Sequence, residues 1–282
     1  MSRLVTILAV ASTLTLTACS ADAPVAPSPS PAAKSKDNRR ALQNAKAACM
    51  KSKGFKYTPW VPEFKPTAES RKYDQGDYEA MKKKRSKYGL TVFYRYVYTE
   101  AESGTGSVIP DPNNEYTIAL SEAQSVAYEK ASDACHVKAA KQVLHRDIKN
   151  VDDLYKQADD MYNARVGREL DGDPQLIDLA QTYGDCLKGK GYRVPSVRPS
   201  ALDVLLWTQF NDQMMALGRE QQPDAEPGAM PMPSLTPAQA RPLLDKEVKA
   251  ALDDLECGKA FFPVFYPRKF ALQATVFGEW GQ

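Results

Sequence analysis

The stretch Cys49-Met50-Lys51-Ser52-Lys53-Gly54-Phe55-Lys56 occurs twice in the chain. It returns as Cys186-Leu187-Lys188-Gly189-Lys190-Gly191-Tyr192-Arg193, with the residue class kept at every position but one. A second pair of echoes follows. Leu120-Ser121-Glu122-Ala123-Gln124 leads into Cys135, and Leu235-Thr236-Pro237-Ala238-Gln239 leads into Cys257. A chain patterned this way reads as two related halves, each with one cysteine near its start and one towards its end. Leaving Cys19 aside, four cysteines allow three pairings. Related halves should carry equivalent bonds, which selects Cys49 with Cys135 and Cys186 with Cys257. Loops of this length would each stabilise by about 4–5 kcal/mol in the chain-entropy account. A zinc site would want close pairs such as Cys-x-x-Cys, and the sequence has none.

The amino terminus says where such bonds could form. Arg3 precedes an apolar run, Leu4 to Leu16, that is too short to span a bilayer. It ends in Leu16-Thr17-Ala18-Cys19, which resembles the lipobox of bacterial lipoproteins. The resemblance implies a cleaved signal peptide and a diacylglyceryl group on Cys19. It also implies acyl chains such as palmitate, two of which are enough for stable anchoring. The chain then divides into a signal peptide (1–18), a disordered Ala/Pro/Ser linker (19–36), a first helical repeat (37–168) and a second (169–282). The expected location is the outer face of the cell membrane, where disulfides persist.

Local signals predict a mainly α fold. Asp37 or Asn38 can cap a helix with Leu42, Ala45 and Cys49 inward, which Gly54 ends. Asp173 caps its counterpart, Pro174 takes the first helical position, and Gly191 ends it. Prolines 59, 62 and 66 make the next stretch extended. Asp77 then opens a helix from Tyr78 to Tyr88, stopped by Gly89. It holds Lys82, Lys83, Lys84, Arg85 and Lys87, the densest positive patch in the chain. Such a run is ordinarily a solvated face; its functional reading is contact with anionic headgroups or anionic wall polymer. From Leu90 to Thr99 the residues alternate as in a strand, with Tyr116 to Leu120 as a possible partner. This small tyrosine-rich β or extended insert has no counterpart in the second half, and Tyr94, Tyr96 and Tyr98 are its candidate binding surface.

Further on, Ser121 with Gln124 and Thr236 with Gln239 form capping boxes. Ser200 caps an amphipathic helix expected to stop at Gly218. Met230 and Met232 sit in a proline-rich loop, and the aromatic tail from Phe261 to Trp280 should dock on the body.

Chemistry is sparse. The net charge of the chain is +2, and the first eighteen residues carry Arg3 alone, so the remainder is nearly balanced. Such a balance argues against nucleic acid as a partner. Adjacent helix positions point about 100° apart, which places Cys135 and His136 badly for a catalytic pair. The sequence has no phosphate loop, dinucleotide glycine pattern or metal cluster, so no cofactor and no metal are expected. The reading is a non-catalytic binding or accessory protein of the envelope, partnered by an envelope protein or wall polymer. The alternative is a two-carboxylate hydrolase of wall polymer, whose acidic pair would meet only in space.

The mature chain is similar to a group of actinobacterial exported lipoproteins. The resemblance rests on Cys-Met/Leu followed by Gly-Phe/Tyr and a proline at Cys49 and Cys186. It also rests on Lys87-Tyr88-Gly89-Leu90, on the Asp173-Pro174 helix entry, and on the partners Cys135 and Cys257. It implies a mostly helical fold and an envelope location, and no particular activity.

Overall fold

A computed structural model of the chain describes residues 31–62, 66–99, 110–226 and 228–282. The signal segment, Cys19 and the linker up to residue 30 lie outside them. The first helix, α1, runs Pro31–Ser52, so it begins upstream of Asp37, inside the stretch read as linker. Proline is at home in a first helical turn and two alanines follow it, so the helix can start early. The rest are α2 (Ala68–Asp74), α3 (Tyr78–Tyr88), α4 (Asn114–Ile118), α5 (Glu122–Ala139), α6 (Val151–Glu169), α7 (Pro174–Gly189), α8 (Pro199–Asp203), α9 (Leu205–Gln221), α10 (Pro237–Cys257) and α11 (Phe262–Glu279).

Both expected disulfides are present. Cys49–Cys135 joins α1 to α5, and Cys186–Cys257 joins α7 to α10. The two cysteine helices also end identically. Gly54 (φ 83°) and Gly191 (φ 89°) take the left-handed conformation. The Phe55 and Tyr192 N–H groups donate back to the carbonyls of Met50 and Leu187, at 3.1 and 3.0 Å. Both capping boxes form as well, with the Gln124 and Gln239 amide oxygens accepting from the Ser121 and Thr236 backbones at 3.0 and 2.9 Å.

The halves share one core. Its buried members include Leu42, Met81 and Leu154 from the first half, and Leu176, Phe262 and Trp280 from the second. The tail does dock: α11 packs on α1 and α6, with Phe261 stacked on Phe265 at 4.7 Å. Helix α10 lies against α3 on one side and α7 on the other.

Three readings need correction. No strand occurs among the described residues, and Leu90 to Thr99 instead forms a bent segment with one 3-10 turn at Tyr94–Tyr96. Its proposed partner is helical, in α4. The cause is tertiary. Thr91 sits at φ 74°, which no strand tolerates, because residues 90–93 wrap a buried carboxylate described below. Helix α9 also passes Gly218 without stopping. A Cβ there would lie 1.7 Å from the Pro231 carbonyl oxygen, so Gly218 admits the proline-rich loop rather than ending a helix. Arg85, thirdly, is not on the solvated face of its helix. It is 4% exposed and forms an ion pair of 2.5 Å with Asp254 on α10.

That pair is the centre of the molecule. Arg85 also donates to the Ala251 carbonyl at 3.0 Å and lies 4.8 Å over the Phe262 ring. The Tyr183 hydroxyl of α7 donates to the other Asp254 oxygen. Burial works against the charged guanidinium, but Asp254 together with Tyr266, Tyr73 and Tyr183 outweighs it and holds the Arg85 pKa above the ordinary arginine value. Burial, then Asp254, push the Tyr183 hydroxyl well up. Removing one member strands a charge in the interior. Arg85→Ala or Asp254→Ala should each lower unfolding free energy by about 3–5 kcal/mol. The double substitution Arg85→Met/Asp254→Leu should recover most of that loss in urea denaturation; a double that loses the sum of the two single losses would show the pair is not coupled.

Candidate functional site

Helix periodicity splits the positive run of α3. Ala80, Lys83, Lys84 and Lys87 stand at i, i+3, i+4 and i+7, so they share one face. Met81 and Arg85 share another, and both are buried. The first face looks into a hollow of about 510 Å³ whose opposite wall is α2, with Thr67, Glu69, Ser70, Tyr73 and Asp74. Helix α2 follows Pro66, where the sequence reads as extended, and Thr67 caps it in an ordinary way, accepting the Ser70 N–H at 3.0 Å.

The ammonium groups are laid against aromatic faces and one carboxylate. Lys84 lies 4.5 Å from the Tyr73 ring, and Lys87 lies 4.8 and 5.3 Å from Tyr88 and Tyr98. Lys83 pairs with Glu69 at 2.9 Å, both largely exposed, an arrangement worth little to stability. Lys82 turns aside to the Tyr78 ring at 5.7 Å. Of the five basic residues picked out in the sequence, three therefore line a cleft, one lies outside it and one belongs to the core.

A smaller hollow of about 190 Å³ shares Tyr73 and Lys84 with the first. Its far side is formed by Trp207 of α9 and Tyr266 and Lys269 of α11, and one wall is the turn Gly89-Leu90-Thr91. That wall is set by Glu247 of α10, a fully buried residue. Its carboxylate accepts the Val92 and Phe93 N–H groups at 2.9 and 2.8 Å, with those of Leu90 and Thr91 alongside. Burial raises the Glu247 carboxyl above its ordinary range, and these backbone bonds only partly offset it. Gly89 (φ 60°) makes room: a Cβ there would lie 2.9 Å from the Glu247 side chain. Trp207, Lys269 and Glu247 gave no signal in sequence, since their elements meet only in the folded chain.

The tyrosines proposed as a binding surface are used in packing. Tyr94 and Tyr98 stand edge-on to Tyr88 at 5.7 and 5.8 Å, and Tyr96 packs on Phe93. Tyr94 and Tyr98 thus pack on Tyr88, itself part of the lining of the larger hollow. No group of three metal-binding side chains occurs among the described residues, and no helix there is long and apolar enough to cross a membrane.

A separate polar cluster lies beside the Cys49–Cys135 bond. Lys46 sits 4.8 Å over the Tyr57 ring, whose hydroxyl donates to Gln43 at 2.6 Å. The buried Nε2 of His136 has no hydrogen-bond partner among the described residues. Burial, then the nearby Lys46 charge, push the imidazole down to about 4, against an opposing pull from Asp133. A base with a depressed pKa in the fold stabilises above its unfolded pKa, and that contribution is lost as pH falls. Between pH 6.5 and 4 the wild type should lose on the order of 1–2 kcal/mol more stability than His136→Gln, after discounting for partial exposure. Urea titrations at the two pH values measure this, and parallel losses would contradict it.

No family model, curated protein or solved structure matches the chain. Any functional reading therefore rests on the cleft itself.

Proposed function

We propose that this chain is an exported, lipid-anchored, non-catalytic binding protein of the cell envelope, whose anionic ligand enters the cleft between α2 and α3. The observation that carries the reading is the placing of Lys83, Lys84 and Lys87 along one wall of a 510 Å³ hollow faced by Tyr73. That volume falls in the range of ligand sites. Cations gathered in a concavity focus their field more strongly than the same charges on a convex surface. The partner is then a wall polymer or the acidic surface of an envelope protein, with nucleic acid disfavoured by the near-neutral net charge.

The lipobox at Cys19, the likeness to exported actinobacterial lipoproteins and the two disulfides all agree with a compartment outside the cytoplasmic membrane. Matching helix ends and capping boxes support descent of the two halves from one helical unit, with residues 90–99 as an addition to the first. A two-carboxylate hydrolase has less support. Glu247 and Asp254, the carboxylates raised by burial, are engaged by backbone N–H groups and by Arg85 and Tyr183, out of a substrate's reach.

Long-chain inorganic polyphosphate serves as a probe for an anion-binding cleft. Lys83→Glu/Lys84→Glu should weaken its binding by roughly tenfold or more at low salt, with an unchanged circular dichroism spectrum. Equal affinity of variant and wild type would remove the cleft from consideration. Cys19→Ala should abolish palmitate labelling and release the chain from the membrane fraction; a variant still in the pellet would contradict the anchor.

A further inference from the structure

We infer that the ligand is an anionic saccharide held across the two adjoining hollows, its acidic substituent at the lysines and a sugar ring against Trp207. The inference rests on the cleft being the binding site and names what the cleft takes.

The smaller hollow, about 190 Å³, is below the range of a complete small-molecule site. It shares Tyr73 and Lys84 with the larger one, so the two are neighbouring compartments with Lys84 between them. A ligand that uses both must be extended and must carry different chemistry along its length. The larger compartment sets three ammonium groups against the carboxylates of Glu69 and Asp74, a cationic excess that calls for an anionic group. In the smaller the chemistry is mixed. Trp207 is 43% exposed, an unusual state for so large an apolar surface next to a hollow. Beside it, Lys269 pairs with Asp203, whose side chain is 4% exposed. A sugar ring has an apolar C–H face that packs on an indole and hydroxyls that can hydrogen-bond to the Lys269 ammonium, which the buried Asp203 carboxylate holds in place.

Two simpler anions suit the site less well. A free phosphate has no use for the aromatic surfaces. A bilayer presents its headgroups on a broad plane, whereas these cations line concave walls. The hollow is also shaped in advance. Its wall includes Thr91, a β-branched residue at φ 74°, held there by hydrogen bonding to Glu247. Strain of that kind persists only where the surroundings enforce it, and it gathers at binding sites.

The test uses the mature chain and five probes: oligogalacturonate, a heparin-derived oligosaccharide, uncharged maltohexaose, polyphosphate and phosphatidylglycerol vesicles. At least one acidic oligosaccharide should bind and change the tryptophan fluorescence, and maltohexaose should not. Trp207→Ala should weaken that oligosaccharide by about tenfold and leave polyphosphate binding as it was. Trp207 is a surface residue, so this variant should stay folded. The saccharide assignment fails if Trp207→Ala binds the oligosaccharides as the wild type does, if maltohexaose binds equally well, or if only polyphosphate or vesicles bind. In that last case the lysine cleft survives as an anion site. If none of the anionic probes binds, both readings fall.

Discussion

The ion pair between Arg85 and Asp254, completed by the Tyr183 hydroxyl, ties together three helices from different parts of the chain. Its geometry is coupled to the covalent frame. Asp254 lies three residues before Cys257 and Tyr183 three before Cys186, so on α10 and α7 the polar contact and the disulfide occupy one face, a turn apart. The bond fixes the spacing of α7 and α10, and that spacing lets one hydroxyl and one carboxylate meet in the interior. Arg85 then fastens α3, from the first half, to a pair already braced in the second. Buried charges are costly unless every partner is in place, so the cluster specifies a single way of assembling the halves.

The same constraint reaches the cleft. Helix α10 presents Glu247, Ala251 and Asp254 at i, i+4 and i+7, one continuous stripe. Asp254 and the Ala251 carbonyl hold Arg85, and Glu247 gathers the backbone of the turn that follows α3. With Arg85 and Met81 pinned inward, helical geometry leaves Lys83, Lys84 and Lys87 no direction but the α2 side. The buried stripe thus fixes both the orientation of the lysine face and the turn that walls the smaller hollow.

What could be read beforehand was what depends on near neighbours. Asp77 and Asp173 as helix caps, the two boxes, and Gly54 and Gly191 at helix ends obey local rules. The disulfide pairing followed from the internal echo, a comparison of the chain with itself. The early start of α1 and the Thr67 cap of α2 are local too, whereas the misread strand and helix stop have distant causes. The alternation from Leu90 to Thr99 is a fair strand pattern, yet Glu247, some 155 residues away, draws its first residues into a wrap that no strand can make. Gly218 resembles a helix stop, but it is small because the Pro231 backbone touches it. The cleft was half legible: the lysine spacing lies in the sequence, while Trp207 and Lys269 come from helices whose approach no local pattern announces.

The run Lys82-Lys83-Lys84-Arg85 also shows how residue type records position. Arginine keeps its charge in a low dielectric and its flat group stacks on aromatic faces, so it suits a buried pair beside a ring. Lysine is a compact, strongly hydrated charge on a flexible stem, which suits the rim of an open cleft. At position 85 a single guanidinium nitrogen, Nη1, donates to both Asp254 and the Ala251 carbonyl, and the group lies over the Phe262 ring. At 83, 84 and 87 the charges stay at the surface. One short basic segment is therefore divided between cleft and core, and the single arginine in it marks the position that the core claims.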